Sequence, residues 1–363
     1  MENPELVLGK VDKRKIVFSR IKRKIFKHVL LVRIVAVLLI AVGLYFIFYS
    51  ASLFVRNTGV SDYTRMARNF IFAPIDGVKS IDGRTNILIL GKGGEGHDAP
   101  DLTDTIIFMS VSHAPPSISM ISMPRDIWVK ELRAKLNSVY YWGNQKQTGG
   151  GLILAKSVTE GIVGRPVHYG LVLDFTAFQK IIDVLGGIEV NVEREFTDEK
   201  YPVPGKENDL CEEGDKEFKC RYETVHFDQG KQFMDGERAL KFVRSRNAKG
   251  DEGTDFARSL RQQKVVNAIK NKIMKRDTYL SYSKMKKLAD VLAEYIETDV
   301  SQMEGTVLAK RLWQVGSNIK SLTIPEDLFV NPPISSKYDN LYVFIPKDNN
   351  WKEVGSWIDG NIN

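Results

Sequence analysis

Runs of apolar residues at strand and helix spacing divide the chain into segments that predict a mixed α/β fold. Three β-type runs follow one another at residues 85–90, 104–111 and 117–123, with turn residues between them. The stretch HAPPS at 113–117 favours a hairpin connection, because proline cannot donate a hydrogen bond within a central strand. These three runs are therefore expected to be strands joined by turns.

Helical and strand patterns alternate after these runs. A helix is predicted after the glycine cluster Gly149–Gly151, followed by a strand in HYGLVLDF, a helix in TAFQKIIDVL and a strand in IEVNV. The stretch DGERALKFVRSR predicts a further short helix. Such alternation predicts an α/β sandwich rather than two unrelated domains.

The remaining segments are a polar excursion and a helical end. Residues 194–235 are polar, carry both cysteines and predict a long excursion. From Asp255 the apolar spacing is helical, and Thr254 or Asp255 can cap the helix. Two more helices are predicted, at Tyr279–Ile296 and Ser301–Ile319, before a short tail.

One apolar run predicts a membrane span. The 22 residues Ile34–Val55 carry no charge, and as a helix they would measure about 33 Å, enough for a bilayer core of ~30 Å. Lys and Arg concentrate before this run, so the positive-inside rule places the amino terminus in the cytoplasm and the following domain outside. The alternative is a cleaved signal peptide, whose apolar core normally has roughly 7–15 residues.

Charge is concentrated in front of this span. The chain carries 52 Lys and Arg against 45 Asp and Glu, a net charge of +7. Residues 1–33 hold ten of the basic and three of the acidic residues, so the remainder is neutral overall. The excess belongs to a basic tail, and a nucleic-acid partner is not expected.

The two cysteines, Cys211 and Cys220, lie in CEEGDKEFKC. A disulfide between them is the favoured interpretation, because compartments outside the membrane are oxidising. Zinc binding with nearby His226 and a pair of free thiols are the alternatives.

A glycine-rich turn at 91–96, GKGGEG, follows the first β run. It matches G-x-G-x-x-G, but a dinucleotide site needs a helix to begin within the turn, and HDAPDLT follows instead. The turn is still of interest, because ligands of α/β proteins bind beside the carboxyl ends of strands.

Acidic side chains follow this turn. Asp104 begins the second β run, with Asp98 and Asp101 nearby. Carboxylates at such spacing can hold Mg²⁺, or they can simply cap turns. At the end of the third run, the simplest interpretation of Arg125 and Asp126 is an ion pair.

Four arginines lie close together in the second half of the chain. Arg244 and Arg246 form an R-x-R, and Arg258 and Arg261 lie three apart near the start of a predicted helix. A guanidinium group stays protonated and binds two phosphate oxygens at once, and a helix amino terminus also favours an anion. The cluster therefore indicates a phosphate ligand or, alternatively, a solvated basic face balanced by neighbouring acids.

Seven motifs occur together and in one order: NILILG, TDTIIFMSV, SMPRDIWV, KLNSVY, VLDFTAFQKIIDVLGGIEV, MDGERALKFVRSR and DFARSLRQQ. This set, over roughly Thr85–Ile273, resembles the LytR-CpsA-Psr family of cell-envelope proteins. The resemblance implies a three-layer α/β/α sandwich with a deep apolar pocket for a polyprenyl chain, preceded by one transmembrane helix. It also implies a membrane-bound phosphotransferase that moves a glycopolymer from a polyprenyl-pyrophosphate carrier to peptidoglycan in cell wall assembly.

The same motifs imply the site residues. The resemblance implies catalytic roles for Asp104, Arg125, Arg244 and Arg246. It implies pyrophosphate contacts from Arg125, Arg244, Arg246, Arg258, Arg261 and Gln262. It implies Mg²⁺ or Mn²⁺ at Asp104.

Two positions depart from the family pattern. Gly93 stands where the family usually has an aspartate, so Asp98 or Asp101 is expected to supply the second metal ligand or to accept the proton of the attacking hydroxyl. Leu102 stands where the family has an arginine, which removes one phosphate contact.

Two other functions are compatible with these residues. Water in place of the sugar hydroxyl would make the protein a polyprenyl-pyrophosphate phosphatase. The missing carboxylate at Gly93 would instead suit a non-catalytic sensor that only binds the lipid.

Five segments are expected in total. They are a basic cytoplasmic tail at 1–33, a transmembrane helix at 34–55, a juxtamembrane connector at 56–84, a catalytic domain at 85–320 and a carboxyl-terminal extension at 321–363 packed on that domain.

Overall fold

The computed structural model describes residues 68, 70–72, 74, 77–94, 99–206, 208–212, 215–316 and 318–362. All of them belong to one compact unit, Ala67–Asn363. The predicted tail, the predicted span and most of the predicted connector lie outside these residues. Within the described part of the chain, every helix is too short or too polar to cross a bilayer.

Fourteen strands and nine helices are described in this part of the chain. The strands are β1 (Arg84–Lys92), β2 (Thr103–His113), β3 (Pro116–Ser122), β4 (Trp128–Val129), β5 (Ala134–Lys135), β6 (Tyr169–Asp174), β7 (Ile188–Val192), β8 (Phe196–Pro202), β9 (Tyr222–Phe227), β10 (Gly230–Met234), β11 (Ile296–Thr298), β12 (Ile319–Thr323), β13 (Phe329–Val330) and β14 (Ile345–Pro346). The helices are α1 (Val139–Lys146), α2 (Gly150–Val163), α3 (Phe175–Val184), α4 (Gly236–Arg244), α5 (Asp255–Ile273), α6 (Arg276–Tyr279), α7 (Tyr282–Tyr295), α8 (Gln302–Val315) and α9 (Lys352–Ile362).

A six-stranded sheet forms the centre, in the order β11-β6-β1-β2-β3-β12. β2 is antiparallel to β1 and β3, as the predicted hairpin requires, while β6 is parallel to β1 and β12 is parallel to β3. The carboxyl ends of β1, β3 and β6 therefore lie at the same sheet edge as the beginning of β2. This edge collects the acidic and basic residues that follow or begin these strands.

Helices cover both faces of the sheet. Leu88 and Leu90 of β1 point to one face, where α1, α2 and α9 complete the core. Ile87 points to the other face and packs in a cluster with residues of α8. Because both faces are covered, the first two strands are nearly continuous apolar runs. The expected α/β fold with a central sheet is confirmed.

A second hydrophobic core supports the segment that carries Arg244, Arg246, Arg258 and Arg261. It joins α3, α4 and α5 to strands β7–β10, around the aromatic rings of Phe196, Phe227 and Phe242. The expectation that residues 194–235 form only a polar excursion is wrong, because they contain β8, β9 and β10. Between β8 and β9, the sulfur atoms of Cys211 and Cys220 form a disulfide.

The carboxyl-terminal helices differ in detail from the prediction. The helix predicted at Tyr279–Ile296 is divided, because Ser281 caps a new helix by accepting a hydrogen bond from the backbone nitrogen of Lys284. The helix predicted at Ser301–Ile319 ends at Val315, and β12 then joins the central sheet. The predicted domain boundary at 320 thus falls inside a strand, and α9 beyond it packs into the core.

Candidate functional site

An ion pair at the sheet edge joins two of the predicted site residues. The Nη1 atom of Arg125, just after β3, donates a hydrogen bond to Oδ1 of Asp104, the second residue of β2, at 2.7 Å. The Asp104 side chain is 49% exposed and that of Arg125 is 27% exposed. The pair is therefore within reach of a ligand in solvent.

The sequence neighbour of Arg125 has a different main partner. Asp126 binds Lys135 at 2.7 Å, whereas its contact with Nε of Arg125 is longer, at 3.5 Å. The ion pair expected between Arg125 and Asp126 is thus present but secondary. Asp126 holds the turn, and the more exposed end of Arg125 points to Asp104.

The other predicted carboxylates lie before β2. Asp101 forms an ion pair of 2.7 Å with Lys92 at the end of β1, and the ammonium group of Lys92 lies 5.3 Å from the ring centre of Tyr140. Asp98 lies outside the described residues. Asp101 and Asp104 are thus each paired with a cation, Lys92 and Arg125 respectively, at the same distance of 2.7 Å.

The R-x-R motif, Arg244 to Arg246, lies at the end of α4. Asp235 caps this helix, and Arg244 is its last residue. The guanidinium of Arg244 stacks on the ring of Phe175 at 4.2 Å and donates from Nη1 to the hydroxyl oxygen of Tyr201 at 3.3 Å. Burial raises the pKa of Tyr201, so this hydroxyl stays protonated. Arg246, two residues later, is exposed.

Helix α5 carries the remaining predicted ligands. Thr254 caps it, accepting a hydrogen bond from the backbone nitrogen of Ala257. Arg258 is half-buried. Nε2 of Gln262 donates to Oγ1 of Thr105 at 3.2 Å, and Thr105 is the chain neighbour of Asp104. Gln262 thus connects α5 to the ion pair at the sheet edge.

Arg261 is placed differently from the other arginines. It is only 2% exposed, and its guanidinium donates to Glu252 and to the carbonyl oxygens of Phe242 and Ser245. All three of its side-chain nitrogens are therefore bonded to protein groups. The predicted pyrophosphate contact would require this side chain to leave those bonds.

These contacts bring the predicted residues into one region. Arg125 contacts Asp104, whose neighbour Thr105 contacts Gln262 on α5. One residue before Gln262, Arg261 contacts the backbone beside Arg246. The sheet edge, the start of α5 and the R-x-R are thus linked by a chain of contacts that passes through the buried Arg261.

The donor set can be compared with what Mg²⁺ requires. Among the described residues, the one group of three metal-ligating side chains is Asp209, Cys211 and Cys220, and its two sulfur atoms are already joined. At the sheet edge, Asp104 offers a half-exposed carboxylate. Mg²⁺ commonly takes one or two carboxylates together with waters and substrate phosphates, so a single aspartate beside a phosphate ligand fits this ion.

Three contributors to this region were missed from the sequence. Phe175 and Tyr201 orient Arg244, and the buried Asp198 bonds to the backbone at Arg246. Phe175 lies inside a recognised motif but its pattern indicates only core. Asp198 lies in EFTDEKY, where nothing in the local pattern separates it from an exposed acid.

A cavity of about 300 Å³ opens beside Lys92. Its lining is mainly charged and polar, comprising Lys92, Val172, Asp174, Glu294, Tyr295, Ile296 and Glu297. This lining differs from the deep apolar pocket expected for a polyprenyl chain, which stays a prediction.

Comparisons with known proteins are consistent with the motif pattern. A protein-family model described as the LytR_cpsA_psr family matches residues 49–356. The polyisoprenyl-teichoic acid–peptidoglycan teichoic acid transferase TagV of Bacillus subtilis is 26% identical over 269 residues, which is 72% of this chain and 60% of that protein. This chain thus spans less than two thirds of the length of TagV. The regulatory protein MsrR of Staphylococcus aureus is 26% identical over 325 residues, 84% of this chain and 83% of that protein.

The fold is also similar to a solved structure. The crystal structure of B. subtilis TagV matches with a TM-score of 0.53 and 22% sequence identity, over 78% of this chain and 98% of that chain. At this identity the likeness concerns the fold.

Proposed function

The chain belongs to the LytR-CpsA-Psr family, and from this membership and the contact between Asp104 and Arg125 we propose that it is a glycopolymer–peptidoglycan phosphotransferase. The donor is a glycopolymer on a polyprenyl-pyrophosphate carrier, and the acceptor is peptidoglycan in the growing cell wall. The name of TagV, a polyisoprenyl-teichoic acid–peptidoglycan teichoic acid transferase, supports this substrate class. The alternatives are hydrolysis of the same bond and lipid binding without turnover.

The pyrophosphate is bound by guanidinium groups from three segments. Arg125 comes from the end of β3, Arg244 ends α4 and Arg246 follows it. Arg258 lies on α5 near its amino terminus, with Gln262 as a neutral donor one turn later. Phosphoryl transfer depends mainly on positioning and on charge stabilisation. Arginines already held by protein contacts, as Arg244 is by Phe175, lose little freedom when they bind the ligand.

Asp104 would hold Mg²⁺ or Mn²⁺ beside the pyrophosphate. Such an ion, when bound, neutralises phosphate charge. Asp104 also positions Arg125 through their 2.7 Å hydrogen bond. Arg125 is thereby shared between a protein carboxylate and the substrate.

The reaction moves one phosphoryl group. A sugar hydroxyl of peptidoglycan attacks the phosphorus attached to the glycopolymer, and a new phosphodiester bond forms. The bond from this phosphorus to the bridging oxygen breaks, and polyprenyl phosphate leaves with the bonding electrons. Asp101 or Asp98 accepts the hydroxyl proton, and the arginines stabilise the charge on the leaving phosphate.

The membrane span at 34–55 would hold the domain beside its lipid substrate. With residues 1–33 in the cytoplasm, the domain lies outside the membrane, where peptidoglycan is. Tethering makes the encounter with the carrier local, which raises its effective concentration.

The contact between Asp104 and Arg125 carries this proposal, and removing the arginine tests it. Full-length protein in nanodiscs is supplied with a lipid-linked glycopolymer and peptidoglycan fragments. Arg125→Ala and Arg246→Ala should each lower the transfer rate roughly 10²–10³-fold, as expected for loss of one charge-stabilising donor. Arg133→Ala is the matched control, because Arg133 is exposed and pairs with Asp339, which is not one of the predicted site residues.

Product analysis separates the candidate reactions. Polymer linked to peptidoglycan identifies the transferase, and free phosphorylated polymer identifies the phosphatase. Arg125 and Arg246 variants that turn over the donor as fast as the parent would contradict the proposed site.

A further inference from the structure

The backbone that carries Arg246 lies between two buried charges of opposite sign. Asp198 on β8 is 0% exposed and Arg261 on α5 is 2% exposed. Burying a charge costs free energy unless it is well paired and hydrogen-bonded. Asp198 directs two of its three hydrogen bonds to the segment that follows α4, and Arg261 bonds to the carbonyl oxygens of Phe242 and Ser245 on either side of the end of α4.

Asp198 binds one side of this segment. Its Oδ2 atom accepts hydrogen bonds from the backbone nitrogens of Arg246 and Asn247, at 3.1 and 3.2 Å. Its Oδ1 atom accepts from the backbone nitrogen of Lys200 at 3.0 Å. A backbone bridge between Asp198 and Ala248 continues the same contact. One carboxylate therefore fixes the backbone amide groups of Arg246 and Asn247.

Arg261 binds the other side. Its Nε donates to the carbonyl oxygen of Phe242 at 3.0 Å, and its Nη2 donates to the carbonyl oxygen of Ser245. Its Nη1 donates to both the carbonyl and the carboxylate of Glu252, each at 2.9 Å. The guanidinium also lies over the ring of Phe196 at 4.7 Å. The planar guanidinium group of Arg261 thus holds two backbone carbonyl groups at the end of α4.

We propose that Asp198 and Arg261 are positioning residues, which clamp residues 245–247 so that Arg244 and Arg246 keep the spacing that a diphosphate requires. Arg261 acts through the backbone and does not contact the ligand. The role toward the diphosphate rests on the proposed function, whereas the clamp itself does not. An exposed Arg246 on a fixed backbone loses less conformational entropy when it binds an anion.

Two conservative substitutions test the clamp in the full-length protein in nanodiscs. Asp198→Asn removes the charge and presents an amide NH₂ to one set of backbone donors. Arg261→Lys keeps the charge but cannot reach three acceptors in a plane. Arg84→Lys is the matched control, because Arg84 is 7% exposed, bonds Ser110 and lies at the opposite end of β1.

Amide hydrogen exchange gives a readout that needs no substrate. Both variants should speed exchange of the peptide containing Arg246 and Asn247 about tenfold, the change expected for losing one buried hydrogen bond. Arg84→Lys should leave this peptide unchanged. Unchanged exchange in both test variants would overturn the clamp, even if the parent showed no transferase activity.

Turnover then tests the positioning role. Each variant should lower kcat/KM about tenfold with the lipid-linked donor. When either substitution is combined with Arg246→Ala, the total loss of kcat/KM should be smaller than the sum of the two single losses, because the clamp acts through Arg246. Fully additive losses would overturn the positioning role.

A second result would also overturn it. If Arg261→Lys weakens donor binding without faster exchange at 245–247, Arg261 contacts the ligand directly. If Arg261→Lys does not fold, Asp198→Asn alone decides both readouts.

Discussion

Aromatic rings determine where the arginine charge of this site is held. Arg244 lies over Phe175 at 4.2 Å, and its second aromatic neighbour, Tyr201, accepts a hydrogen bond from it. Cation–π contacts of this kind contribute roughly 0.5–2 kcal/mol. The guanidinium therefore keeps its orientation although part of its surface is covered.

Arg244→Lys should weaken binding of a short, water-soluble polyprenyl pyrophosphate about tenfold, because lysine lacks both the planar fork and the ring stacking. Equilibrium binding to the full-length protein measures the change. Arg238→Lys is the control on the same helix, since Arg238 stacks on Phe227 at 4.7 Å. Equal losses in both variants would mean that α4 is damaged as a whole and would contradict a specific role for Arg244.

The environments of the predicted site residues depend on contacts that the sequence pattern does not describe. Arg258 and Arg261 lie three apart on α5, so helical spacing alone places them on one face. Their environments differ, because Arg261 meets Glu252 and the end of α4 and becomes buried. Glu252 is one of the neighbouring acids that the sequence offered as a partner, whereas the contact with the end of α4 depends on tertiary packing that helical spacing does not describe.

The contact between α1 and α2 explains the glycine residues at 143 and 149–151. α1 and α2 approach so closely that a Cβ atom on Gly143 would lie 2.5 Å from the carbonyl oxygen of Gly150. The glycine cluster Gly149–Gly151 was predicted only as the start of a helix. Its second role, allowing a neighbouring backbone to touch α2, depends on α1, which the apolar pattern did not predict.

Gly143→Ala should therefore destabilise the fold by about 1–3 kcal/mol, the usual cost of overpacking. Gly161→Ala is the matched control, because Gly161 lies in α2 with no atom within 4 Å of an added Cβ. That change should stabilise the protein by roughly 0.5–1 kcal/mol, since alanine is the better helix former. Denaturant unfolding followed by tryptophan fluorescence measures both. A stabilising effect of Gly143→Ala would show that the helices are not in contact.

Strands were harder to predict where their outer faces are polar. β8 has two exposed polar residues and β9 has three, and the disulfide loop between them adds further charge. β12 was missed because its neighbour β3 is about 200 residues away in sequence, and parallel pairing leaves no local turn signal. The central strands, which are buried on both faces, were predicted from their continuous apolar runs.

The described part of the chain combines one end of the central sheet with a second hydrophobic core. The sheet supplies Asp104 and Arg125, and the second core supplies the R-x-R. Helix α5 contacts both through Gln262 and Arg261. The family resemblance inferred from the seven motifs is confirmed by the match over residues 49–356. The membrane span and the metal ion stay predictions.

Tracing one phosphorus atom tests the transferase most directly. The donor is labelled at the phosphorus attached to the glycopolymer and supplied with peptidoglycan fragments to the full-length protein in nanodiscs. We predict that the label appears in a phosphodiester joining polymer to peptidoglycan, while unlabelled polyprenyl phosphate stays in the membrane. Label that remains on the lipid, or that appears on free polymer despite acceptor glycan, would contradict the account.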